Sequence, residues 1–232
     1  MLESVPTMAS KGHPLIVLAS ASPRRAELLA LTGWTFWASP TSVDETPLAG
    51  EDAAAVARRL AEAKVRSAAG GAARAAFFLG ADTVVQDGKL ILGKPADEAE
   101  ARRMLSGLRG HDHRVVTGIA LLATDTRELI TDTCETTVPM RSYDGGELEA
   151  YVSSGGHRGK AGAYGIQDHG FRPVEVASMH GCYANVMGLP LCHLVRSMRR
   201  LGLDPAADVP EACQAHNAYA CDVYSQVLGG EG

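Results

Sequence analysis

Short apolar runs alternate with amphipathic stretches along the first half of the chain, which predicts strands that alternate with helices. The runs 15–19 and 77–85 are almost wholly apolar, as is typical of buried strands. The alanine-rich stretch 51–69 ends at two glycines and predicts a helix. Two later runs, 114–124 and 129–140, are rich in Val, Ile, Leu and Thr and predict antiparallel strands. The pattern indicates an α/β fold with a mixed sheet and helices packed around it.

Weaker patterns give the domain boundaries and the remaining elements. One domain is expected over residues 14–203, with 1–13 as a loose N-terminal extension and 204–232 as a weakly ordered or peripheral C-terminal tail. Further strands are predicted at 34–38, 89–92 and 171–176, with a small-residue segment at 161–167 leading into a strand. Further helices are predicted from 23 to a stop at 33, at 97–108 and 145–153, and at 191–201 as the last helix.

Composition narrows the classes of partner. The net charge is −5, so the fold as a whole is not expected to bind nucleic acid. The chain has five cysteines and no CxxC pair, which indicates reduced thiols in a cytoplasmic protein rather than disulfides or a zinc site. Cys182 and Cys192 are expected to be small apolar core residues. No apolar run approaches membrane-spanning length, and residues 1–13 lack the apolar core of a signal peptide, so no membrane association is expected.

The sequence Ser-Ala-Ser-Pro-Arg-Arg at 20–25 predicts an anion site at the end of the first strand. Pro23 opens a helix and Ser22 is its expected N-cap. A helix N-terminus offers free N–H groups and the positive end of the helix dipole. Arg24 and Arg25 add planar guanidinium groups that match phosphate oxygens. The alternative is a capped helix with two solvated arginines.

Two charged residues interrupt apolar patterns. Lys64 continues a helical stripe formed by Val56 and Leu60, and the spacing favours a lysine that extends to water over one that delivers its charge to a cleft. Asp82 lies within the most apolar strand, where an ionised carboxylate needs a partner or a metal. Gly80 leaves room there for another backbone or a ligand. For Asp82, a functional role is favoured over the capping of a neighbouring turn.

Seven sequence blocks occur in the order found in the Maf family of nucleotide pyrophosphatases, and the chain resembles that family from residue 14 to about 201. The resemblance implies an inosine-triphosphatase-like (Maf/Ham1 type) α/β fold: an elongated mixed sheet flanked by helices, and two lobes with a central cleft. It also implies hydrolysis of a nucleoside triphosphate to the monophosphate and diphosphate, a divalent cation (Mg²⁺ or Mn²⁺) and a homodimer. The blocks are Leu-Ala-Ser-Ala-Ser-Pro-Arg-Arg (18–25), Val-Asp-Glu (43–45), Leu-Ala-Glu-Ala-Lys (60–64), Leu-Gly-Ala-Asp-Thr-Val-Val (79–85), Gly-Lys-Pro (93–95), Lys-Ala-Gly-Ala-Tyr-Gly-Ile-Gln (160–167) and Val-Met-Gly-Leu-Pro (186–190).

The resemblance makes Asp82 the catalytic base. We expect Asp82 and Glu45 to hold the cation, because carboxylates are ligands that Mg²⁺ takes together with substrate phosphates. The remaining expected site residues carry charge or hydroxyl groups toward the triphosphate: Lys64 and Lys94 as catalytic cations, and Ser20, Ser22, Arg24 and Arg25 as substrate-binding groups.

Three positions divide the family by substrate. Members that act on dTTP and UTP, and on modified pyrimidine nucleotides, carry Arg, Thr and Gln there, as this chain does at Arg24, Thr83 and Gln167. Members that act on 7-methyl-GTP carry Trp, Gln and Glu. The chain departs from the family at Gly159, where Asp is usual, and at 155–158, where Gly-Gly-His-Arg replaces Glu-Pro. The resemblance therefore assigns no role to this loop.

Two alternatives remain open. The chain could be a non-catalytic nucleotide-binding regulator of cell division, or a pyrophosphatase for a modified purine such as 7-methyl-GTP. The apolar surroundings of Asp82 disfavour the first, because binding alone needs no carboxylate facing a triphosphate. The triplet Arg24, Thr83 and Gln167 disfavours the second.

Overall fold

A computed structural model describes residues 16–71, 75–168 and 170–229. Six strands form one sheet: β1 Ile16–Leu18, β2 Phe36–Ala38, β3 Phe77–Asp87, β4 Leu90–Leu92, β5 Asp112–Ala123 and β6 Leu129–Pro139. The helices are α1 Pro23–Ala30, α2 Ala53–Ala69, α3 Glu98–Leu108, α4 Gly145–Ser153, α5 Tyr183–Met187, α6 Leu191–Arg200, α7 Val209–Asn217 and α8 Tyr224–Gly229, with short 3₁₀ turns at Ala161–Ala163 and Val176–Ser178.

The sheet is mixed, as the sequence predicts. Its strand order is β2-β1-β3-β5-β6, with β1 parallel to β2 and β3, and with β5 antiparallel to β3 and β6. One edge of β3 is shared: β1 pairs with residues 77–79, and the antiparallel β4 pairs with residues 85–87. Among the described strands, none pairs with the middle of β3 on that side, so the sheet opens beside Asp82.

Helix α2 lies against the sheet with its backbone in contact with two glycines. A Cβ atom at Gly80 would lie 2.3 Å from the carbonyl oxygen of Ala61, and one at Gly118 would lie 2.4 Å from the carbonyl carbon of Ala57. The expected close approach at Gly80 is therefore confirmed, and its partner is the helix backbone. This contact fixes the height of α2 above β3 and β5.

Two predictions in the last third of the domain are wrong. The segment 171–176 is not a strand: it makes one isolated bridge, between Met140 and Val174, because Pro173 has no N–H to continue a ladder. The segment 161–167 leads into no strand and forms a turn with Gly162 at φ +66°. Helix α5, which no pattern predicts, has only five residues and is too short to show a helical period.

The C-terminal segment is folded, so weak order, one of the two alternatives expected for it, is wrong for residues 204–229, and 191–201 is not the last helix. A peripheral position, the other alternative, agrees with the partial or full exposure of nearly all residues in 204–229. Helix α7 begins at an N-cap, Asp208, whose side chain accepts from the Glu211 N–H. Val209 is fully buried in the main core. The indole N–H of Trp34 donates to the Asp204 carbonyl at 3.0 Å. The extension 1–13 lies outside the described residues, and the division of the chain into a domain and two flanking segments stays a prediction.

Two composition-based expectations can be compared with the described residues. All five cysteines are free, and Cys182 and Cys192 are buried as expected. Within the described ranges, no helix combines the length and apolar character needed to cross a membrane.

Candidate active site

A cavity of about 600 Å³ opens at the gap in the sheet where the chain passes from β1 into α1. Asp82 and Thr83 reach it from the middle of β3, Lys64 from α2, and Arg24 and Arg25 from the first turn of α1, while loops supply the other groups. All ten residues predicted from the sequence line this one cavity: Ser20, Ser22, Arg24, Arg25, Glu45, Lys64, Asp82, Thr83, Lys94 and Gln167.

The N-terminus of α1 forms one wall. Pro23 occupies the first turn, and Ser22 holds the N-cap position with extended backbone angles, as predicted. The Ser22 side chain, however, accepts no bond from the helix; its N–H instead donates to Ser20 Oγ at 3.1 Å. The side-chain cap expected of Ser22 is therefore absent, because the local turn directs its backbone toward Ser20. Pro23 has no N–H, so the first N–H groups of the helix are those of Arg24 and Arg25, which line the cavity and receive no side-chain acceptor from Ser22.

The two arginines of this segment differ in their contacts. The guanidinium of Arg25 donates to the Gly188 carbonyl at 2.8 Å, to Thr83 Oγ1 at 3.1 Å and to Ser20 Oγ at 3.3 Å. Burial lowers the pKa of Arg25, although the charge of Asp82 opposes the shift; the guanidinium stays protonated. Arg24 lines the cavity and makes no hydrogen bond or ion pair with any described residue. Arg25 therefore connects three parts of the wall, whereas Arg24 is available to a ligand.

Thr83 is held from behind by residues that the sequence reasoning missed. Its hydroxyl accepts from Arg25 and lies 2.9 Å from the hydroxyl of Thr117, which donates to the Asn185 carbonyl at 3.0 Å. The Thr83 hydroxyl must therefore donate its proton to Thr117, so it has no proton left to donate to a ligand. Thr117 is a fully buried hydroxyl in the apolar strand β5, and that is the signal that could have identified it.

Two carboxylates and two lysines form a connected cluster at the cavity wall. Lys64 Nζ lies 2.5 Å from Asp82 Oδ1 and 2.8 Å from Glu45 Oε1, and Lys94 Nζ lies 2.7 Å from Glu45 Oε2. Lys64 is 5% exposed, so the expectation that it extends to water is wrong. The close contacts of Gly80 and Gly118 with α2 place the helix face that carries Lys64 against the sheet, where Asp82 supplies the opposite charge. Partial burial opposes ionisation of Glu45, but the two lysines outweigh it and lower its pKa to about 2.

The two carboxylates are placed so that one divalent cation could bind both. Asp82 and Glu45 both direct an oxygen at the same nitrogen of Lys64, so they converge on one point. In the described part of the chain, no group of three or more His, Cys, Asp or Glu side chains could hold a metal ion. Two converging carboxylates fit a cation of the Mg²⁺ kind, which completes its coordination with phosphates and water.

Unsatisfied polar atoms lie on the remaining wall. Gln167 Oε1 and Thr41 Oγ1 are buried and have no hydrogen-bond partner among the described residues. A buried acceptor or hydroxyl without a partner is costly, which favours a ligand group opposite it. The hydroxyl of Tyr164, also in the wall, lies 2.7 Å from His113 Nε2. Thr41, Tyr164 and Arg158 line the cavity but were not predicted; single residues in loops show no periodic signal.

Comparison with known proteins agrees with the resemblance. A family described as "Maf-like protein" matches residues 15–201. A "dTTP/UTP pyrophosphatase" of Dehalococcoides mccartyi is 42% identical over 87% of this chain and 88% of its own length. A protein of the same name from Citrifermentans bemidjiense is 43% identical over 81% of this chain and 95% of its own length. Another, from Geobacter sulfurreducens, is 45% identical over 81% and 96%.

Solved structures are more distant. "The structure of the Staphylococcus aureus Ham1 protein" aligns with 69% of this chain and 79% of its own, at 15% identity and a TM-score of 0.42.

Proposed function

The chain belongs to the Maf-like protein family, and from this premise we propose that it is a nucleoside triphosphate pyrophosphatase that acts on dTTP and UTP. The reaction is hydrolysis between the α and β phosphates, which yields a nucleoside monophosphate and inorganic diphosphate. The observation that carries the proposal is the position of Asp82: a buried carboxylate, paired with a buried lysine, at a cavity lined by further cations.

Asp82 is proposed to act as the general base. It would accept a proton from the water whose oxygen attacks the α-phosphorus, while the bond from that phosphorus to the bridging oxygen breaks and the diphosphate leaves. Lys64 holds one oxygen of Asp82 at 2.5 Å, so the carboxylate is oriented before substrate arrives. Both residues lie on regular elements, β3 and α2.

The remaining cations are proposed to neutralise the triphosphate. Lys94 is half-exposed and paired only with Glu45, so it can turn toward a phosphate. Arg24 and the free N–H groups of α1 offer donors that match phosphate oxygens. Cations aimed at a leaving diphosphate favour the transition state, in which charge accumulates there.

Asp82 and Glu45 are proposed to hold a divalent cation that arrives with the nucleotide. When bound, such a cation supplies charge neutralisation at the phosphates and acidifies a coordinated water. Lys64 must then yield part of its contact with the two carboxylates and is free to contact a phosphate instead.

Base selection is proposed to involve Gln167. Its Oε1 has no hydrogen-bond partner among the described residues, and a turn of the amide toward the cavity would let it accept from the pyrimidine N3–H. A site built to pair with one base edge leaves buried groups unpaired with another. We expect Gln167→Glu to reduce the preference for dTTP and UTP over purine nucleotides, measured as the ratio of kcat/KM values. An unchanged ratio would remove Gln167 from base recognition.

A cytoplasmic location and a homodimer complete the proposal. Five free cysteines suit a reducing compartment, and light scattering of the purified chain tests the dimer.

The deciding experiment is diphosphate release from a panel of nucleoside triphosphates with Mg²⁺, for the wild type beside Asp82→Asn. Release from dTTP and UTP that falls by at least about 100-fold in the variant, with nucleotide affinity retained, supports the proposal. Tight nucleotide binding without release from any nucleotide would favour the non-catalytic regulator. Release mainly from 7-methyl-GTP would favour the purine alternative.

A further inference from the structure

Arg158 lines the same cavity, on a loop to which the resemblance assigns no role. Its side chain is exposed and makes no hydrogen bond or ion pair with the described residues. An exposed guanidinium without a protein partner that lines a cavity rich in cations is a candidate contact for an anionic ligand.

The turn that carries Arg158 is held in place by its neighbours. Gly155 has φ +77°, and its carbonyl accepts from the Arg158 N–H at 3.1 Å. A Cβ atom at Gly156 would lie 2.3 Å from the ring of Tyr151, so the turn packs directly on that ring. His157 is buried, and Lys160 forms an ion pair with Asp168 just after the turn. The backbone under Arg158 is thus fixed, while its side chain is free.

The other cations of the cavity are mostly engaged. Lys64 and Lys94 pair with the two carboxylates, and Arg25 binds three wall groups. Among the described cavity residues, Arg24 and Arg158 are the cations without a protein partner. A nucleoside triphosphate carries most of its negative charge on the terminal two phosphates, which need the free cations most.

Attack at the α-phosphorus would divide the substrate into two parts, the nucleoside monophosphate and the diphosphate. If Asp82 activates the water, the α-phosphorus lies at the cluster of Asp82 and Lys64. Arg158 lines the cavity on another loop and forms no hydrogen bond or ion pair with that cluster. A guanidinium away from the α-phosphorus is best matched by the terminal two phosphates, because they carry most of the charge of the triphosphate.

We propose that Arg158 binds the diphosphate part of the substrate, the group that leaves in the reaction. This assignment rests on the proposed function for its place in the reaction, but binding of inorganic diphosphate to Arg158 can be measured without turnover.

The test compares the wild type with Arg158→Ala and Arg158→Lys, and with Arg103→Ala as a matched control. Arg103 is an exposed arginine of α3 that does not line the cavity. Calorimetry measures the affinity of each protein for inorganic diphosphate and for UMP, with Mg²⁺ present. We expect Arg158→Ala to weaken diphosphate binding by about 10- to 100-fold, the size of a lost charge-assisted contact, and to leave UMP binding within twofold. Lysine should recover part of the loss, since it keeps the charge without the fork.

Three outcomes would overturn the assignment: unchanged diphosphate affinity in Arg158→Ala, equal weakening of diphosphate and UMP, or the same loss in Arg103→Ala. Turnover separates this inference from the proposed function. Normal diphosphate release by the wild type with unchanged diphosphate affinity in Arg158→Ala refutes the role of Arg158 alone. Arg158-dependent diphosphate binding in a wild type that releases none supports the contact and refutes the proposed reaction.

Discussion

Replacing Lys64 with methionine should leave the carboxylate of Asp82 buried without its nearest cation. Methionine keeps most of the volume of the lysine stem and removes only the charge. The side chains of both partners are 7% exposed, so the pair is a buried one. Removing one partner of a buried ion pair costs about 3–5 kcal/mol of folding free energy, because the other charge is left uncompensated.

We expect Lys64→Met to lie at the lower end, at about 3 kcal/mol. Asp82 faces a cavity that water can enter, and the charge of Arg25 remains near it. The contact of Lys64 with Glu45 adds little, since 38% of the Glu45 side chain is exposed to solvent. With an m-value of about 2–3 kcal/mol per molar urea, the unfolding midpoint should fall by about 1–1.5 M.

Urea unfolding at pH 7 is to be measured for the wild type, Lys64→Met, Asp82→Asn and the double variant. Asparagine has no charge to leave uncompensated, so the double variant should regain most of the stability lost in Lys64→Met. The reasoning is refuted if Lys64→Met costs less than about 1 kcal/mol, or if the double variant is no more stable than Lys64→Met.

Three further predictions concern stability. Glu45→Gln should lower the free energy of unfolding by less than about 1 kcal/mol near pH 7. Folding lowers the pKa of Glu45 from 4.5 to about 2, so the stability that its charge contributes is present above pH 4.5 and is lost as the pH falls toward 2. Urea unfolding of the variant and the wild type should therefore differ above pH 4.5 and agree near pH 2. Gly80→Ala should lower the free energy of unfolding by about 1–3 kcal/mol or more, because its Cβ clashes with the Ala61 carbonyl. Gly107→Ala, at an open position in α3, should raise it by up to about 1 kcal/mol. Equal melting temperatures of the two variants would contradict the close packing at Gly80. Deletion of 204–232 should destabilise the protein by more than about 3 kcal/mol by uncovering buried apolar groups, and an unchanged melting temperature would show that the segment is an appendage.

The sequence was most informative where chemistry and periodicity coincide. Asp82 was identified because a carboxylate inside an apolar strand needs a partner. The cavity wall formed by the N-terminus of α1 followed from Pro23 after a strand, since a helix that starts there exposes its N–H groups. Both predictions depend on sequence patterns that extend over only a few residues along the chain.

The errors concern contacts that are distant in sequence. Lys64 was expected to reach water, because no local pattern shows that Gly80 and Gly118 bring its helix onto the sheet beside Asp82. Pro173 prevented a ladder that the Phe and Val residues around it favour. The tail was judged by its scattered composition, but burial of residues such as Val209 against the preceding helices stabilises it.

The glycine contact under α2 also separates the cavity into parts of different mobility. Where backbone touches backbone there are no side-chain rotamers to exchange, so the backbones that carry Asp82 and Lys64 keep their separation on the timescale on which exposed side chains reorient. Glu45, Lys94 and Gln167 lie on loops and have no such restraint. Adjustment to nucleotides of different size therefore falls to the loops, while the strand that carries the proposed base, Asp82, stays where folding placed it.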